Sequence, residues 1–263
     1  MSAVTVVPLE SSLRAQRDAG RKLLVPYVTG GLGLHWVSVL EAMVAAGADA
    51  VEIGIPFSDP VMDGPTIQEA SVRALLLGAT PSGILDELRQ VEVAVPLIAM
   101  TYYNLVFRAG HRRFAHHLID AGVAGVIIPD VPLEELGEWA PAADDAGVET
   151  VLLAAPVTPD HRLAELCRRS QGFVYGVNVM GVTGEREAMA VSGRRLAERL
   201  KAATDKPVLM GFGVSTPEQA VEAASVADGV IVASALMRIL LDGGGPDEVG
   251  ERVAEMRAAL DAG

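Results

Sequence analysis

The chain has 263 residues, half of them hydrophobic, with aromatics at only 4% and a formal net charge of −13. That charge argues against a nucleic-acid surface, which needs a basic stripe, but an anionic substrate can still be held by backbone N–H groups. The single cysteine, Cys167, rules out an internal disulfide framework and speaks against a cysteine-based metal site.

The first residues lack a basic segment followed by a long apolar run, so no signal peptide is expected. No apolar stretch has the length of a membrane span, and a reducing cytoplasm fits. In chain order, residues 2–20 read as an extra helix, followed by a strand over 23–29. A helix over 37–46 leads to a strand over 50–54. A helix over 67–77, with a second possible within 76–95, precedes a strand over 96–101. Then come helix 112–121, strand 125–129, helix 134–146, strand 150–154, helix 163–169 and strand 172–177. Helix 194–203, strand 207–211, helix 217–225 and strand 229–233 follow. A glycine-rich loop then opens a terminal helix ending near Asp261.

Most of these strands are continuous apolar runs, as expected of strands covered on both faces. Gly47, Gly122 and Gly147 each stand between a helix and a strand, where a left-handed cap is expected. Cys167 falls in an amphipathic helical pattern and reads as a small buried filler. Eight βα units in this length predict one domain over 1–263, a (β/α)8 TIM barrel with an extra N-terminal helix. An open doubly wound sheet is the alternative, but no Gly-x-Gly-x-x-Gly follows the first strand.

Barrel active sites lie at the C-terminal ends of the strands. Glu52 stands inside the apolar Val-Glu-Ile of the second strand. A buried carboxyl is costly unless bonded or protonated, so Glu52 is either a structural hydrogen-bonding group or a proton carrier of raised pKa. Asp63 is either the N-cap of the next helix or a second carboxylate facing the same cavity. Asp59 is a turn former or a contact on an exposed rim. Late in the chain, Gly181 to Gly184, Gly211 to Gly213 and Ala233-Ser234 form turns after strands six, seven and eight. Phosphate-binding barrels use this face and a helix N-terminus, which Ser234 opens.

The run Val51-Glu-Ile-Gly-Ile-Pro-Phe-Ser-Asp-Pro-Val-Met-Asp-Gly-Pro-Thr-Ile-Gln68 resembles the signature of the tryptophan synthase alpha chain. Met100-Thr-Tyr-Tyr-Asn104, Ile128-Pro-Asp-Val-Pro132, Gly181-Val-Thr-Gly184 and Gly211-Phe-Gly-Val-Ser-Thr-Pro217 continue the likeness in family order. The resemblance implies a lyase that cleaves indole-3-glycerol phosphate to indole and glyceraldehyde 3-phosphate by a retro-aldol reaction, in L-tryptophan biosynthesis. It implies Glu52 and Asp63 as catalytic residues. It also implies a phosphate site at Gly184, Gly213 and Ser234, and an indole pocket of Tyr102, Tyr175 and Phe212 walled by Met100 and Ile127. Thr183 would sit in a loop that closes over the site. No cofactor is implied in this chain. Pyridoxal phosphate would belong to a beta-chain partner in an alpha2-beta2 complex, with residues 56–60 and the region of Asn104 facing that partner. Ala233, where a glycine is often seen in the family, is expected to narrow the phosphate site. A stand-alone lyase releasing free indole, a regulatory subunit and another phosphate-binding barrel are the competing readings.

Overall fold

The computed structural model describes residues 6–177, 186–211 and 213–263. Eight parallel strands close into a barrel in sequence order, with the first paired to the last. They are β1 (Leu23–Thr29), β2 (Val51–Gly54), β3 (Leu97–Met100), β4 (Val123–Ile127), β5 (Glu149–Ala154), β6 (Val174–Val177), β7 (Val208–Gly211) and β8 (Gly229–Val232). The helices are α1 (Leu9–Asp18), α2 (Trp36–Ala45), α3 (Pro65–Leu76), α4 (Pro81–Leu88), α5 (Tyr103–Ala109) and α6 (His111–Asp120). They continue with α7 (Trp139–Ala146), α8 (Asp160–Arg169), α9 (Arg186–Ala203), α10 (Pro217–Ala224), α11 (Ser234–Leu241) and α12 (Pro246–Ala262).

Strand alternation divides the apolar residues between two cores. Outward-facing Val28, Val51, Ile53 and Val126 pack under helix residues such as Trp36, Leu40, Phe114 and Trp139. Inward-facing Leu23, Val25, Ala50, Ile98, Val151, Leu209 and Ile231 fill the barrel together with Leu9 and Leu13 of α1. The i, i+4 spacing of Leu9 and Leu13 puts both on one face of α1, and that face plugs the barrel's N-terminal end. Glu149, the first residue of β5, accepts the Leu9 and Glu10 N–H groups at 2.8 and 2.9 Å. A carboxylate from another element thus caps α1.

The same end is fastened by two aspartates. Asp49 accepts the Leu24 N–H at 2.8 Å and Arg21 Nε at 2.7 Å. Asp228 accepts the Val208 N–H at 2.8 Å and Lys201 Nζ at 2.7 Å. With the N-terminal face committed to structure, the C-terminal face is where chemistry can be built.

Gly47, Gly122 and Gly147 have φ of 99°, 78° and 80°, the expected left-handed caps. Cys167 is buried in α8 as the filler expected. Several boundaries differ from expectation. β4 begins at Val123 rather than 125, and the β3–β4 register shifts between Leu97 and Ile98. The helix expected over 134–146 starts at Trp139, because Leu133–Glu135 is a separate 3-10 turn followed by Gly137. The extra helix expected over 2–20 is the shorter α1, Leu9–Asp18, and the one within 76–95 is α4. α9 begins at Arg186, with Gly193 inside it, and α5 was not expected at all.

Candidate active site

Inward positions on β1 and β2 change character toward the C-terminal end. On β1 they run Leu23, Val25, Tyr27, Thr29, and on β2 Ala50, Glu52, Gly54. Tyr27 and Glu52 are register partners, and Ile98 lies across from Glu52 on β3. Glu52 is 1% exposed. Among the described residues its Oε2 has no hydrogen-bond partner. The structural hydrogen-bonding alternative therefore gains no support at that oxygen. Burial first, and the nearby Asp63 charge second, push the Glu52 carboxyl up to about 8. A carboxyl in that range holds a proton near neutrality and can also release it.

Asp63 is not the cap of α3. That place belongs to Gly64, with Pro65 opening the helix. The Asp63 carboxylate instead accepts the Tyr102 hydroxyl at 3.1 Å. Tyr102 in turn accepts the Met62 N–H at 3.0 Å and stacks on Phe57 with ring centroids 5.0 Å apart. Gln68 Nε2 donates to the Asp63 carbonyl at 2.9 Å. Tyr102 and Gln68 thus both fasten the end of the loop before α3 at Met62 and Asp63. Burial raises the Asp63 carboxyl to about 6, against the lowering effect of the Tyr102 bond. Asp59 is exposed and accepts the Ser58 hydroxyl at 2.5 Å. It takes no part in the buried cluster.

Ile127 belongs to the inner core, and Met100 and Tyr175 pack against it. Burial raises the Tyr175 phenol well above its ordinary value, and the charges of Glu52 and Asp63 and the Tyr27 ring add to this. Two glycines make room for the tyrosines. A Cβ at Gly54 would lie 1.8 Å from the Tyr27 oxygen, and one at Gly211 would lie 2.6 Å from Tyr175. Gly213, exposed with φ of 66°, and Ser234, exposed at the start of α11, follow the paired strands β7 and β8. The first N–H groups of α11 lack intrahelical acceptors by geometry. Ala233 packs partly buried against the outer core. Thr183, Gly184 and Phe212 lie outside the described residues. The sequence reading missed Tyr27 and Phe57. Alternation with Val25 gives the side of the strand on which Tyr27 lies, but its pairing with Glu52 shows only in the strand register.

Residues 13–261 match the family model described as tryptophan synthase alpha chain. The chain belongs to the tryptophan synthase alpha chain family. It is 41% identical over 261 residues to the tryptophan synthase alpha chain of Thermobifida fusca, covering 97% of each chain. It superposes on a Mycobacterium tuberculosis tryptophan synthase structure with a TM-score of 0.89 and 35% identity, covering 98% of this chain and 100% of the other. The alpha subunit of Legionella pneumophila gives a TM-score of 0.87 at 31% identity, covering 97% of this chain and 98% of the other. This alpha chain is a carbon–carbon lyase of tryptophan biosynthesis that cleaves indole-3-glycerol phosphate to indole and glyceraldehyde 3-phosphate. Among its described residues, no helix is long and apolar enough to cross a membrane.

Proposed function

We propose that Glu52 carries the proton in this cleavage and that Asp63 steadies the indole nitrogen. The observation that carries the reading is a buried carboxyl pushed up to about 8, with one oxygen that has no hydrogen-bond partner among the described residues, and a nearby second carboxyl raised to about 6. Cleavage needs the indole C3 protonated, so that the ring can leave. It also needs the side-chain hydroxyl beside the breaking bond to lose its proton. A carboxyl that gives and takes protons near neutrality meets both needs. Protonation at C3 places positive charge on the ring nitrogen, and an ionised Asp63 would hold that N–H. Met100, Tyr102, Ile127, Tyr175 and Phe212 would form the pocket around the ring. Gly184, Gly213 and Ser234 would bind the phosphate through backbone N–H groups and the α11 N-terminus. Thr183 would lie in a covering loop that excludes water.

The chain would work as the alpha subunit beside a beta chain that holds pyridoxal phosphate, in the cytoplasm, with no cofactor of its own. Support for a docking side comes from Val61 and Met62 on the loop before α3 and from Phe107 on α5, large apolar side chains left exposed. Retention of both buried carboxyls disfavours a purely regulatory subunit. A stand-alone lyase keeps the same site, so the test is indole release by the purified chain with and without a beta chain. Stimulation supports the subunit reading, and full activity with no stimulation would overturn it.

A further inference from the structure

Tyr27 belongs to no role assigned so far, yet it is the residue set directly across from Glu52. Its side chain is 3% exposed. The ring leans past Glu52 toward the open end of the barrel, because its oxygen occupies the space over Gly54, the next inward position on β2. That oxygen accepts the Thr29 hydroxyl at 3.3 Å. Among the described residues, its own proton has no acceptor, and Glu52 Oε2 has no donor. The two groups stand on one layer of the barrel without bonding to each other. Leaving a buried donor and a buried acceptor both unmade is unfavourable, and a single ligand hydroxyl between them would complete both.

We propose that the Tyr27 hydroxyl donates a hydrogen bond to the substrate hydroxyl oxygen beside the breaking carbon–carbon bond, as a further catalytic residue. The proposal rests on Glu52 as the proton carrier. One hydroxyl then accepts from Tyr27 and donates to Glu52. As Glu52 removes the hydroxyl proton, that O–H bond breaks and the carbonyl of the aldehyde forms. The electrons of the cleaved C–C bond pass to the ring already protonated at C3 and neutralise its nitrogen. Tyr27 keeps its proton throughout. It stabilises the negative charge that grows on oxygen before the carbonyl is complete, in a site with little water to screen it. Burial, with smaller help from the charges of Asp63 and Glu52 and from Tyr102, outweighs the lowering effect of the Thr29 bond and holds the phenol protonated, so it remains a donor. Tyr175 on β6 faces the same groups and is likewise kept neutral.

Tyr27→Phe removes this hydroxyl and nothing else. The variant should lose about ten- to hundredfold in kcat, with KM within about threefold of wild type. Its affinity for indole-3-propyl phosphate, which carries the ring and the phosphate but no hydroxyl, should be unchanged. A kcat within about twofold of wild type would overturn the proposal, as would a loss of analogue affinity parallel to the loss of turnover. Thr29→Val keeps the tyrosine and removes only the bond that orients its hydroxyl. It should give a smaller kcat loss of the same kind, and it serves if Tyr27→Phe does not fold. Glu52→Gln is assayed alongside. If that variant retains turnover, the Glu52 reading falls and the Tyr27 proposal with it. If Glu52→Gln is inactive while Tyr27→Phe turns over normally, only the Tyr27 proposal falls.

Discussion

Glu52→Gln should make the fold more stable at alkaline pH while it removes the chemistry. In the folded state the Glu52 carboxyl titrates at about 8, against 4.5 for the free group. Below the lower value the carboxyl is neutral in both folded and unfolded chains, and burial carries no ionisation penalty. Between the two values the unfolded chain ionises and the folded chain keeps its proton, so stability falls as pH rises. Above the folded value the penalty is complete, at about 5 kcal/mol on the scale of 1.36 kcal/mol per pKa unit. Glutamine keeps the shape and carries no such penalty. Urea unfolding of the two proteins at about pH 9 should therefore favour the variant by at least about 2 kcal/mol, a rise of about 4–8 °C in Tm. At about pH 4.5 the gap should vanish. A variant equally stable at both pH values, or one whose advantage grows in acid, would refute the reasoning. The result would bear on function too, since a stability penalty at this position is the physical counterpart of a carboxyl held ready to exchange protons.

The remaining predictions concern the groups around Glu52. Asp63→Asn should lower turnover about ten- to hundredfold. Because the Asp63 charge helps to raise Glu52, the alkaline limb of the kcat/KM profile should also move to lower pH. Tyr102→Phe removes the bond that lowers the Asp63 pKa, so the acid limb should move to higher pH, at a stability cost of about 1 kcal/mol. Ser234→Asp sets a like charge at the start of α11 and should raise KM at least about tenfold with little change in kcat, measured by initial rates of indole release.

The barrel was legible because strands buried on both faces cannot hide their composition. Runs such as 23–29 and 229–233 read as strands from apolar continuity alone, and the glycine caps between helices and strands marked the units. Boundaries failed where pairing rather than composition sets them, as at β4, whose start depends on a register shift against β3. The seven-residue α5 is too short for a 3.6-residue period to show. The capping of α1 by Glu149 joins residues about 140 positions apart, which no local pattern encodes. Glu52 stood out because a carboxylate in an apolar strand is costly. Tyr27 did not, because tyrosine is an ordinary strand residue, and its meaning came only from the residue across from it. For Asp63, local sequence allowed a helix cap, and the Tyr102 bond decided against it.

The central claim is that one buried carboxyl, Glu52, serves the proton transfers of the cleavage. Single-turnover cleavage of indole-3-glycerol phosphate by Glu52→Gln, at substrate concentrations that saturate binding, tests it most directly. The account predicts a rate at least about a thousandfold below wild type with substrate affinity within about threefold. A variant that binds substrate and keeps more than about a tenth of the wild-type rate would contradict it.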